Sequence, residues 1–121
     1  MKSLTLFAAL LIASNANAEH HKESYYQKLW CDAHGGRTTG IGLPTGLQPD
    51  CETDEFIVEF DFAHKYREGI IQVLEYQNES GKKGLLVLIV EIPSDDNQYV
   101  HRMLNVRRAY NMPFEYEIME P

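Results

Sequence analysis

Three carboxylates carry the chemistry that is easiest to read from this sequence. In the run Phe56-Ile57-Val58-Glu59-Phe60-Asp61-Phe62, large apolar residues recur at every second position, the mark of a strand with one face turned to a core. Successive strand side chains point to opposite faces. Phe56, Val58, Phe60 and Phe62 therefore share one face, and Glu59 and Asp61 share the other. Upstream, Asp50 joins the Glu59 and Asp61 face if the turn at Thr53-Asp54 holds an even number of loop residues, which sets Asp50 opposite Ile57. Its Cβ then lies a diagonal ~7–8 Å from that of Glu59. Two carboxylates at that spacing can share one hard cation, with ligand distances of ~2.0–2.1 Å.

The polar residues that follow fall into a pattern. If residues 63–77 form a helix, an advance of 100° per residue places Lys65, Gln72 and Tyr76 within roughly 40° of one another, with Glu68 about 60° away. The apolar stripe of Tyr66, Ile70, Val73 and Leu74 lies roughly 140° from that cluster. A polar face thus stands apart from the core face. Edge carboxylates beside a solvated glutamine and tyrosine would give the same letters, so spacing alone leaves both readings open.

The elements that must position these groups follow from periodicity and breakers. Glu23–Ala33 carries Tyr26, Leu29 and Trp30 at helical spacing and stops at Gly35-Gly36, a helix C-terminal signal. Residues 37–43 and 47–52 read as short strands joined by the turn Pro44-Thr45-Gly46. After Phe56–Phe62 and the helix at 63–77, residues 85–90 form a continuous apolar run, which suits a central strand covered on both faces. Residues 95–110, with Tyr99, Met103, Val106 and Tyr110, read as a helix, and 114–118 as a last, edge strand. The order is helix, three strands, helix, strand, helix, strand: an α/β domain with a mixed sheet in two or three layers. No internal repeat, low-complexity tract or linker interrupts it.

The N-terminus reads as a secretory signal peptide at residues 1–18: Lys2, a short apolar run over residues 4–13, and the small-x-small pattern Ala16-Asn17-Ala18. A membrane span needs roughly 20 apolar residues, and Ser14, Asn15 and Asn17 end this run earlier. Residues 19–121 are then one exported domain, periplasmic or secreted. In an oxidising compartment the only two cysteines, Cys31 and Cys51, are expected to form a disulfide. Closing a loop of about 20 residues contributes roughly 3 kcal/mol in the chain-entropy picture. Zinc needs about four ligands at finger-like spacing, which two cysteines do not supply, and His20, His21 and His34 read as solvated.

Eleven Lys and Arg face eighteen Asp and Glu, a formal net charge of -7, and loss of Lys2 with the leader makes the remainder more acidic. Such a chain repels a phosphate backbone at long range, so any nucleic-acid chemistry depends on bound cations or a local basic patch. Lys82-Lys83 and Arg107-Arg108 are the basic doublets. Ser24, Ser80 and Ser94 lack a nucleophile-elbow context, which removes a serine hydrolase. Asn78-Glu79-Ser80 matches a glycosylation pattern but reads as a helix end.

The set Asp50, Glu59-Phe60-Asp61, Lys65, and Gln72 with Tyr76 resembles the PD-(D/E)XK, or restriction-endonuclease-like, nuclease superfamily, and its Gln-x-x-x-Tyr element resembles the branch of bacterial recombination exonucleases. The run from Cys31 through Gly35-Gly36, Asp50-Cys51, Glu59 to Ala63, Lys65-Tyr66 and Glu68 to Tyr76 is similar to a group of small exported bacterial proteins of uncharacterised function whose fold is assigned to that superfamily. The resemblance implies a helix-strand-strand-strand-helix-strand core and a phosphodiester hydrolase acting on DNA or RNA. Asp50 and Glu59 would hold Mg²⁺ or Mn²⁺, Lys65 would orient the attacking water or stabilise charge, and Gln72 would help to place substrate. Glu23 would be an additional helical carboxylate, with Asp61, Glu68 and Tyr76 beside it on the substrate side. One departure stands out: the usual lysine position, two residues after the strand carboxylate, holds Asp61, so Lys65 would act as a migrated replacement. A catalytically inactive binding module on the same fold is the alternative.

Overall fold

The computed structural model describes residues 21–38 and 42–121. The expected leader and His20 lie outside them. Helix α1 is Glu23–Ala33, strand β1 is Cys51–Glu52 and β2 is Phe56–Phe62. A 3₁₀ turn, Ala63–Lys65, leads into α2, Tyr66–Ser80; β3 is Lys83–Ile89, α3 is Pro93–Ala109 and β4 is Glu115–Met119. The sheet order is β1-β2-β3-β4, with β1 antiparallel to β2 and the other neighbours parallel. Parallel neighbours require crossovers, which α2 and α3 supply.

Alternation in the strands decides the layers. Val58, Phe60, Leu85, Val87 and Ile89 pack with Tyr26, Trp30 and Cys31 of α1. Leu86 and Leu88 pack instead with Tyr66, Ile70 and Val73 of α2 and Met103 of α3. The molecule is thus a four-stranded mixed sheet between one helix and two. Residues 85–89 are buried on both faces, as their unbroken apolar run requires. Gly81 caps α2 with φ 73°, a left-handed conformation that glycine adopts at little cost.

Residues 37–52 depart from expectation. Residues 39–41 of the expected strand 37–43 lie outside the described residues; Arg37 makes an isolated bridge to Glu52, and of 47–52 only the two residues of β1 are strand. Leu43 donates its N–H to the carbonyl of Leu47, and Gly46 to that of Leu43, so backbone groups that a ladder would use are spent within a tight turn. Pro49 has no N–H to offer. The hairpin register also differs, with Cys51 opposite Val58 and Glu52 opposite Ile57. Carried on by one residue, it sets Asp50 opposite Glu59 rather than Ile57. A slip of two keeps every side chain on its face.

Cys51 therefore faces α1, and the Cys31–Cys51 disulfide ties the last turn of that helix to β1, with Cα atoms 6.0 Å apart. Gly36 makes room for it: a Cβ there would lie 2.5 Å from Cys51 Sγ and 2.8 Å from Cys31 Sγ. Reduction is expected to cost roughly 3 kcal/mol and to lower the melting temperature by more than about 10 °C. Calorimetry with and without reductant checks this, with mass spectrometry counting free thiols. Unchanged melting after complete reduction would show that α1 and β1 hold together without the bridge.

Candidate functional site

On the α2 side of β2, Glu59 and Asp61 are 2% and 4% exposed. Burial this deep is unusual for carboxylates, which are seldom enclosed without partners. The helix above them comes close because Gly69 lacks a side chain. A Cβ there would meet Leu86 Cδ1 at 2.8 Å and Asp61 Oδ2 at 3.0 Å. Gly69 escaped the sequence reading, although an isolated glycine inside a helical pattern is itself a sign of close packing.

Asp50 enters from the hairpin, where its Oδ2 accepts the Phe60 N–H at 2.9 Å. Its carboxyl also neighbours that of Glu59, Glu59 neighbours Asp61, and Asp61 neighbours Glu23, each pair close enough to influence the other's protonation. Glu23 comes from α1, the helix of the opposite layer, and its Oε2 accepts from Gln27 Nε2 at 3.0 Å. Four carboxyl groups from α1, the hairpin and β2 thus form a row. Glu59 Oε1 and Asp61 Oδ2 are buried with no hydrogen-bond donor. A proton shared between neighbouring carboxyls, or a bound cation, would relieve that.

The electrostatics follow. Burial pushes the Glu59 carboxyl far above its ordinary range, and the charges of Asp50 and Asp61 push it further. Asp50 and Asp61 are raised by burial against hydrogen bonds that favour their charged forms. Glu23 is raised from 4.5 to about 7, first by burial and then by the charges of Asp61 and Asp50, with Lys65 opposing. Tyr76 is held well above the usual phenol range, first by burial and then by the Glu59 charge. Its hydroxyl donates to the Gln48 carbonyl at 3.0 Å, with Gln72 Oε1 at 3.3 Å as a second acceptor.

The structure therefore brings Glu23, Asp50, Glu59, Asp61, Gln72 and Tyr76 to one place. Lys65 stands exposed at the end of the 3₁₀ turn, near enough for its charge to favour ionised Glu23. Glu68 is exposed in the first turn of α2, and its charge reaches Asp61. Gln72 lines a shallow surface groove with Arg67, Glu68 and Ile71. Among the described residues no three His, Cys, Asp or Glu side chains are disposed, as they stand, to hold a metal ion. The donor set is nonetheless entirely oxygen, suited to a hard cation. No protein-family model matches the chain, and no curated protein or solved structure matches it significantly.

Proposed function

We propose that this is an exported, divalent-cation-dependent phosphodiester hydrolase of the PD-(D/E)XK type, acting on DNA or RNA. The observation that carries the reading is the row of four carboxyls with two buried oxygens lacking donors. A fold needs no such row for its stability, and groups with strongly perturbed pKa values cluster at functional sites. Asp50 and Glu59 are the residues that would hold Mg²⁺ or Mn²⁺, and Asp61 and Glu23 stand beside them. When bound, the ion would offset their charge and polarise a phosphoryl oxygen.

The chain's own groups have definable tasks. Lys65, free to swing, offers an ammonium to a non-bridging phosphate oxygen. Glu23, whose carboxyl is raised to about 7 in the cation-free protein by burial and by the charges of Asp61 and Asp50, would be the additional helical carboxylate on the substrate side. The Gln72 amide oxygen lies 3.3 Å from the Tyr76 hydroxyl, which leaves the Gln72 amide nitrogen as a donor toward substrate. Export is supported by the Cys31–Cys51 bridge, a bond that persists in oxidising compartments. No helix among the described residues is long and apolar enough to cross a membrane.

The test is cleavage of labelled single- and double-stranded DNA and RNA by the purified protein in Mg²⁺ or Mn²⁺. Cleavage with either ion, lost on chelation, is the expected result. Survival of all four substrates would remove the enzymatic reading. The near-complete burial of Glu59 and Asp61 then favours the inactive binding module on the same fold.

A further inference from the structure

At the side of the sheet away from the hairpin, β4 is the last strand, and among the described residues nothing pairs with its outer edge. An unpaired edge offers a row of main-chain donors and acceptors to an incoming extended segment. Here the edge also borders a groove of about 400 Å³, floored by Trp30, Phe56 and Leu85, with His34 at one wall and Glu115 and Glu117 along β4. We infer that the edge of β4 docks an extended peptide in which basic and apolar residues alternate, adding a fifth strand to the sheet.

The alternation follows from which way the β4 side chains point. Glu115, Glu117 and Met119 lie on the α1 face: Trp30 Nε1 donates to Glu117 Oε2, and Met119 packs on the α1 cluster. Tyr116 and Ile118 lie on the α3 face, where Ile118 packs on the α3 cluster and Arg107 sits 5.1 Å over the Tyr116 ring. Tyr116 is 42% exposed. An added strand keeps the same two-residue period. Its residues on one face therefore fall beside Glu115 and Glu117, and those on the other beside Tyr116 and Ile118. Arg or Lys pairs with the first set and an aliphatic or aromatic residue with the second, because cross-strand neighbours of opposite charge and apolar neighbours are the favourable pairs.

Other charges near the groove agree with a cationic guest. Glu55 is a third carboxylate on its lining, and the whole chain is acidic. Arg107, 4.0 Å from Glu115, is an opposing charge. A second copy of β4 fits poorly. It would bring Glu115 and Glu117 against the same carboxylates, and like charges facing one another are destabilising. The carboxylate row of the candidate active site plays no part, so this inference stands or falls independently of the proposed activity.

Trp30 is the only tryptophan, and its ring lines the groove, so its emission reports occupancy. The experiment titrates the disulfide-bonded protein with an acetylated, amidated hexapeptide alternating arginine with valine, followed by Trp30 fluorescence and calorimetry. Saturable binding is expected. The same peptide with its central amides N-methylated should bind at least tenfold more weakly, because it cannot pair with the edge. Glu115→Gln and Glu117→Gln should each weaken the parent peptide by up to about fivefold. Glutamine at 117 keeps an acceptor for Trp30, so folding is preserved. No binding at millimolar peptide, equal affinity for the N-methylated form, or full affinity in the double variant would overturn the inference.

Discussion

Asp50→Asn and Glu59→Gln are expected to lose cation-supported cleavage by at least about a hundredfold, the scale seen when even the outer partners of a metal ligand are removed. At the same time Glu59→Gln should make the cation-free protein more stable at neutral pH. Glu59 is enclosed beside two other carboxyls, so its folded pKa stands far above the ordinary 4.5. At pH 7 the unfolded chain releases that proton and the folded chain retains it, which favours unfolding. Each pH unit between 4.5 and 7 is worth about 1.4 kcal/mol, so removing the titration returns up to about 3 kcal/mol at pH 7. The gain should vanish near pH 4, where both states are protonated.

Melting of both variants at pH 4 and pH 7, beside cleavage assays, checks the pair of effects. A Glu59→Gln protein less stable than wild type at pH 7 would mean that the carboxyl row holds the fold together. Lys65→Ala supplies the contrast. Lys65 is exposed and is not a ligand in this scheme, so its removal should slow turnover while leaving cation affinity and melting nearly unchanged.

How much of this was legible depended on whether the signal was local. The alternation of Phe56, Val58, Phe60 and Phe62 needed no partner to fix which side Glu59 and Asp61 take, and the apolar run at 85–89 marked the central strand. Parity survived even where register did not, because a hairpin loop of Asp54-Glu55 rather than Thr53-Asp54 shifts the pairing by two residues. Of the short strands expected within 37–52, Cys51–Glu52 alone forms among the described residues. Their hydrophobic residues suit a strand, but Gly42, Pro44, Gly46 and Pro49 spend or remove the backbone groups that a ladder requires. Glu23 entered the sequence reading only through the superfamily resemblance. Its approach to Asp61 depends on how α1 lies across the far face of the sheet, and no periodicity encodes that. The bond from Trp30 to Glu117 spans 87 residues and was equally invisible, which is why the groove beside β4 came to light only in three dimensions.

The row of carboxyls should also give the cation-free protein a pH dependence opposite to that of most domains. Carboxylates paired with cations have lowered pKa values and lose stability in acid. Here Glu23, Asp50, Glu59 and Asp61 are all raised. Between the ordinary carboxyl range and a folded value of about 7 for Glu23, the folded state binds more protons than the unfolded chain, so unfolding free energy falls as pH rises. One excess proton gives a slope of about 1.4 kcal/mol per pH unit, and the fall continues above pH 7 through Glu59. Saturating Mn²⁺ should reverse this. An ion bound only to the folded state stabilises it according to its concentration over Kd, and deprotonation of the same oxygens strengthens that binding as pH rises. Urea unfolding at pH 5, 6, 7 and 8, in chelator and in Mn²⁺, measures both slopes. A stability that stays flat from pH 5 to 8 in chelator would show that the four carboxyls are not proton-loaded. An increment from Mn²⁺ that is equal at every pH would place the ion away from them.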